Sequence, residues 1–211
     1  MPNACRPSPG GTGPGISWSP GLPTSTTSTG SWRCTVTEPS SSAQGRRVLV
    51  AVVTGTVGER VQAWRAEHDP GQARRIPPHS TLAYWPPAVD GDGIGTLEAQ
   101  VRHAFDLPVS VHCGAVHEFA NAEHTFYVSL TATEALDRAR TRLFDGTHVS
   151  MGTLTPWPWH ITCVRRAHGR DLTALRNAAT TLDFNDAWTV DTVAYLELRG
   201  DRYEPVAQWK V

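Results

Sequence analysis

Along residues 46 to 211 the apolar positions change period several times, from the continuous or alternating runs of strands to the three-and-four spacing of helices. Val48-Leu49-Val50-Ala51-Val52-Val53 is a β-branched run of strand length. Beyond Gly55, the residues Val57, Val61, Trp64 and Ala66 recur among charges, which predicts a helix over 57–69 closed by Pro70-Gly71. A strand at 79–85, a helix at 94–105 with Leu97, Val101 and Phe105 spaced by four, and a strand at 109–119 complete a βαβαβ order. The order then repeats as strand 124–131 (Phe126, Val128 and Leu130 alternating), helix 133–144 (Ala135, Leu136, Ala139, Leu143), strand 159–165, helix 171–182 and strand 187–198. A last strand, 203–211, follows the Gly200-Asp201 turn. Two copies of one order, offset by roughly 80 residues, suggest a pseudo-two-fold pair of lobes, 46–122 and 123–211, with a cleft between them.

Residues 1–45 break this pattern. They are dominated by Pro, Gly, Ser and Thr, with Trp18 and Trp32 scattered and no periodic apolar face, so a disordered tail is expected ahead of one catalytic unit. The 19 basic and 20 acidic residues leave a formal net charge of -1, which excludes a global positive field for holding long nucleic acid. Partners are expected to be small, or to be held by a local patch. No apolar run reaches the roughly 18 to 20 residues that span a bilayer, and no basic start leads an apolar stretch at the N-terminus. A cytoplasmic monomer is the expectation, with Cys5, Cys34, Cys113 and Cys163 as reduced thiols lacking any CxxC pair.

The candidate chemistry lies at the third element of each half, in His79-Ser80-Thr81-Leu82 and His160-Ile161-Thr162-Cys163. Side chains alternate faces along a strand, so each histidine shares a face with the threonine two residues on. Strands that face each other across the pseudo-axis would bring two imidazoles and two hydroxyls around one phosphate. One neutral imidazole can then take a proton while the other, protonated, delivers one to the departing oxygen. The hydroxyls donate to the non-bridging oxygens as charge develops. Nine histidines yield roughly one His-x-Thr by accident, so the bare string says little. Context says more. Both strings start a strand, both follow a proline-containing lead-in (Ile76-Pro77-Pro78 and Pro156-Trp157-Pro158-Trp159), and both hold the same rank in the repeat.

The spans Pro77-Pro78-His79-Ser80-Thr81-Leu82 and His160-Ile161-Thr162-Cys163-Val164-Arg165 resemble the paired HxTx motifs of the two-histidine phosphoesterase superfamily, which includes 2'-5' RNA ligase-like proteins and 2',3'-cyclic nucleotide phosphodiesterases. The resemblance covers residues 46–211. It implies a bilobal α+β fold in which two antiparallel sheets line a central groove with helices outside. It also implies catalysis with neither metal nor cofactor, on a small nucleotide or an RNA terminus carrying a 2',3'-cyclic phosphate or a 2'-5' bond. Carried over residue by residue, His79 and His160 match the catalytic histidines, Thr81 and Thr162 the phosphate-holding threonines, and Arg165 a basic residue after the second motif. Tyr84 and Phe119 are stacking candidates for a base. Ser80 and Cys163 depart from the usual apolar residues, and strand parity points both away from the phosphate.

Other features have plainer readings. Arg165 reads either as a phosphate contact or as a solvated surface residue, while Arg74, Arg75, Arg166 and Arg170 read as surface. His112, Cys113, His117 and His124 invite zinc, but 112 and 117 have opposite parity unless a bulge forms near Gly114. Gly91-Asp92-Gly93-Ile94-Gly95 lacks the Lys-Ser/Thr of a P-loop and reads as a loop entering the next helix. Trp85, Trp157 and Trp159 flank the motifs as stacking or packing residues. Two rivals use the same groove: a nucleotide-binding module without turnover, and an enzyme degrading cyclic oligonucleotide signals. The residues leave hydrolysis and ligation both open.

Overall fold

The computed structural model describes residues 45–84, 91–145 and 158–211. The tail up to residue 44 with its Cys5 and Cys34, Trp85, and the Pro156-Trp157 part of the second lead-in lie outside the described residues. The elements run β1 (Arg47–Val52), α1 (Gly55–His68), α2 (Pro70–Arg75), β2 (His79–Tyr84), α3 (Asp92–Ala104), β3 (Val109–Glu118), β4 (Phe126–Thr131), α4 (Glu134–Asp145), β5 (His160–Val164), α5 (Leu172–Thr180), β6 (Asp183–Val190), β7 (Thr192–Arg199) and β8 (Arg202–Lys210). Among the described residues, no helix is long and apolar enough to cross a membrane.

The strands form two four-stranded antiparallel sheets, ordered β2-β1-β7-β8 and β5-β4-β3-β6. This is an α+β fold with internal correspondence, because each His-x-Thr strand is the edge strand beside the first strand of its own half. The sheets do not divide the chain at 122/123 as the repeat suggests. β3 ends the first half yet pairs with β4, and β7 from the second half pairs with β1. The exchange follows from the short turn between β3 and β4, which makes them neighbours in one sheet.

Three local differences have physical causes. Pro70-Gly71 opens α2 rather than ending helical structure: proline is tolerated at a first helical position, and Asp69 caps the turn by accepting from Gln72 N at 3.0 Å. The loop expected at 91–95 joins the helix two residues early, with Asp92 in its first turn. The single strand expected at 187–198 is two strands in different sheets, split at Asp191. That carboxylate accepts from Thr54 Oγ1 at 3.1 Å and Thr192 Oγ1 at 2.8 Å, tying the crossing to the start of α1.

One continuous core joins the sheets: Leu49, Ala51 and Leu82 of the first belong to the same buried cluster as Val128, Ile161 and Cys163 of the second. Helices cover it with Val57, Val61 and Trp64 of α1 and Leu136, Ala139 and Leu143 of α4. Gly58 allows the start of α1 to close on β1, because a Cβ there would stand 2.3 Å from the Val53 carbonyl oxygen. A smaller apolar floor lies on the opposite face of the first sheet, built from Val48, Val50, Ile76, Ala194 and Leu196. His79 and Thr81 share that face, being opposite Val52 and Val50 in the β1–β2 register.

Candidate functional site

The two His-x-Thr strands alternate identically. His79 and Thr81 are half-buried while Ser80 and Leu82 are buried, and His160 and Thr162 are half-buried while Ile161 and Cys163 are buried. β2 and β5 lie against each other, so the edges of the sheets meet where the motifs sit.

Both imidazoles are wired in the same way. Nδ1 of His79 lies 2.7 Å from the Pro77 carbonyl oxygen, and Nδ1 of His160 lies 2.8 Å from the Pro158 carbonyl oxygen. A carbonyl only accepts, so each Nδ1 carries a proton and donates it, which leaves each Nε2 as the exchangeable nitrogen. The next carbonyl in each lead-in accepts from the neighbouring segment: Pro78 O from Val53 N at 2.9 Å, and Trp159 O from Leu130 N at 3.2 Å. Successive carbonyls thus serve the ring and the sheet in turn, in both halves.

The surroundings differ. Burial, and then the Arg65 charge, push His79 down to about 3, with smaller downward pushes from His160 and Arg165 and an opposing lift from the Pro77 bond. Burial also lowers His160, against the lift of its Pro158 bond, but no arginine is among the causes. His160 instead meets aromatic rings, lying edge-on to Phe119 at 5.0 Å and to Tyr127 at 5.5 Å.

Arg65 was not singled out by the motifs, yet it links them. It is fully buried on α1; its Nε at 2.9 Å and its Nη2 donate to the Thr162 carbonyl, and its Nη1 donates to the Ile76 carbonyl at 3.1 Å. Desolvation lowers its own pKa to about 10, a value at which it stays charged at neutral pH. One turn later Asp69 makes a second tie, its Oδ2 accepting from Arg165 N at 2.9 Å.

The remaining expected residues fall in different places. Arg165 is exposed at the end of β5 and near enough to His79 to affect it. Tyr84 is 44% exposed at the end of β2, opposite Val48. Phe119 reaches His160, but one of its faces is taken by Tyr127, stacked at 3.9 Å. Trp159 belongs to the core, with Nε1 donating to Asp137 at 2.8 Å and the Arg140 guanidinium 4.1 Å from its ring centre. Arg166 and Arg170 pair with Glu123 and Asp69.

Strand parity does not separate His112 from His117, because the β3 register shifts between Cys113 and Val116. That bulge puts both histidines on the face opposite the core, and a Cβ on Gly114 would meet Ser129 Oγ at 2.8 Å. His124 is drawn to Glu118 at 2.7 Å, which Arg176 also holds. Among the described residues no three His, Cys, Asp or Glu side chains gather to hold a metal ion. Cys113 and Cys163 are buried free thiols, raised by burial to about 11 and about 12.

The profile of the 2'-5' RNA ligase superfamily matches residues 55–202, which contain both His-x-Thr strands. The chain belongs to this superfamily. Solved structures show the same fold in LigT-type members. E. coli LigT complexed with NADP+ is 18% identical with a TM-score of 0.52, covering 79% of this chain and 98% of LigT. TT0787 of Thermus thermophilus is 16% identical with a TM-score of 0.54, covering 78% of this chain and 97% of TT0787. A structure of LigT complexed with 3'-AMP aligns at 18% identity with a TM-score of 0.50, covering 79% and 98%. No curated protein matches the sequence. Within the superfamily fold, Arg65 and Tyr127 are the groups that the short motif did not predict.

Proposed function

We propose that this 2'-5' RNA ligase superfamily member is a phosphodiesterase of small nucleotides or RNA ends, acting on a 2',3'-cyclic phosphate or a 2'-5' bond by paired-histidine acid–base catalysis. The observation that carries the reading is the shared wiring of His79 and His160. Each Nδ1 is held by a carbonyl two residues earlier, each Nε2 is left for proton exchange, and each strand places a threonine hydroxyl on the same face. Nucleotide ligands suit the fold, since LigT has been crystallised with NADP+, ATP and 3'-AMP.

The unequal surroundings divide the roles. His79, neutral beside Arg65 and Arg165, takes a proton from water as its oxygen attacks phosphorus. His160 delivers a proton to the departing oxygen as the old P–O bond breaks, and the bound phosphate anion raises its affinity for that proton. Thr81 and Thr162 donate to the non-bridging oxygens, and Arg165 offsets their charge. The charges that act on His79 are cationic, so they repel a metal dication and attract the phosphate, which favours a metal-independent reaction. A reducing, cytoplasmic setting suits the two buried thiols.

The test is incubation with 2',3'-cyclic nucleotides, 2'-5' and 3'-5' dinucleotides and cyclic dinucleotides in EDTA, with products identified by mass. Turnover of a cyclic phosphate or a 2'-5' bond is expected, reduced by about two to four decades in His79→Ala and in His160→Ala. Binding without product, or turnover lost in EDTA, would contradict the proposal.

A further inference from the structure

Beside the lead-in to β2 lies an open cleft of about 540 Å³, lined by Arg74, Arg75, Pro77, Arg202, Tyr203 and Glu204 among others. Its three guanidinium groups come from α2 and from the start of β8, so they converge from two elements distant in sequence.

Several arginines elsewhere meet carboxylates: Arg47 meets Glu197 at 3.0 Å, Arg60 meets Asp186 at 2.7 Å and Arg176 meets Glu118 at 2.9 Å. Among the described residues, Arg74, Arg75 and Arg202 form no ion pair, and the cleft's own carboxylate, Glu204, lies 3.6 Å from Arg199. Arg75 is placed over the Tyr203 ring, 6.0 Å from its centre. Three cations against the single carboxylate of Glu204 leave a net positive charge, and the repulsion among them is what an anion between them would relieve. A guanidinium fork matches phosphate oxygens in pairs, which a simple point charge does not.

The cleft also adjoins the reaction centre. Pro77, part of its wall, supplies the carbonyl that holds His79, and Arg165 is near enough to both His79 and Tyr203 to bias the ionisation of each. Cationic groups therefore run from the first His-x-Thr strand into the cleft. We infer that the cleft binds a second, uncleaved phosphate of the substrate, so the preferred substrate is an oligonucleotide end rather than a nucleoside carrying only the reacting phosphate. This rests on the phosphodiesterase reading and specifies its substrate class.

The experiment compares kcat/KM for a 2',3'-cyclic mononucleotide, the same nucleotide with an added 5'-phosphate, and a dinucleotide ending in a 2',3'-cyclic phosphate. At least one two-phosphate substrate should gain about tenfold, mostly in KM, and R74A/R202A should cut that gain to under about twofold. Whichever of the two gains identifies the source of the phosphate. In wild-type protein, raising salt from about 50 to 200 mM should cost the two-phosphate substrate an extra factor of roughly two to three, as for one added single-strand phosphate contact. No gain from a second phosphate, or an equal loss on all three substrates in R74A/R202A, would overturn the inference. If wild-type protein turns over none of them, the catalytic reading fails, and the cleft is judged by anisotropy with a fluorescein-labelled trinucleotide. About tenfold weaker binding to R74A/R202A would support it, and equal binding would overturn it.

Discussion

β2 and β5 carry the same five-part device: a carbonyl, a ring held by that carbonyl, a free Nε2, a threonine on the same face, and buried residues between. They differ in what surrounds the ring. His79 lies where Arg65 and Arg165 act on it, while His160 stands edge-on to Phe119 and Tyr127. Under the proposed mechanism two like imidazoles take opposite roles, which unequal environments promote. The proposed division of labour then rests on residues outside the motifs, with Arg65 the charge that distinguishes the two halves.

Removing Arg65 should disturb the comparison most. Arg65→Met leaves the Thr162 and Ile76 carbonyls without their buried donor, at a cost of about 2–4 kcal/mol, part of the desolvation penalty being recovered. Thermal unfolding should shift down by roughly 5–15 °C. An unchanged melting temperature would show that the tie between the strands carries no stability.

The asymmetry should also appear in the pH dependence of stability. His79 stays neutral in the folded protein down to about 3, whereas in the unfolded chain it takes a proton near its ordinary value of 6.5. Between those values the unfolded state binds more protons, so stability is full above about 6.5 and falls as pH drops towards 3. Urea titrations of His79→Asn should show a shallower loss over that window, and a smaller change should follow from His160→Asn. Equal slopes in the two variants would remove the electrostatic difference between the halves.

The smallest effect is expected at Ser80. Its Oγ is buried with no hydrogen-bond partner, on the face turned away from the groove. Ser80→Ala should leave turnover unchanged and be neutral or stabilising by up to about 1 kcal/mol. A large loss of activity would mean that the hydroxyl serves the site after all.

Much of this was legible in the chain. Alternation in Phe126, Val128 and Leu130 marked β4, and by parity it placed Tyr127 with Thr162 on the other face, although that consequence is visible only once the register is known. Val57, Val61 and Arg65 lie on one stripe of α1 at a spacing of four, so the pattern held a clue to a buried arginine, masked by the habit of reading arginine as surface. The crossing at Asp191 was not legible: only Asp191 and Thr192 interrupt the apolar residues there, and two polar positions do not mark a strand that changes sheets. The bulge at Gly114 was legible only as a condition. Glycine there permits the close approach of Ser129, but the register shift depends on how β4 and β6 pair with β3.

The central claim is that His79 and His160 move protons in opposite directions, and leaving-group dependence tests it directly. On a substrate with a ribose leaving group, His79→Ala and His160→Ala should each lose about two to four decades in turnover. On a p-nitrophenyl nucleotide ester, whose leaving group needs no proton, His160→Ala should recover to within about tenfold of wild-type protein while His79→Ala stays impaired. Near wild-type rates for either variant on the ribose substrate, or recovery by His79→Ala instead, would contradict the account.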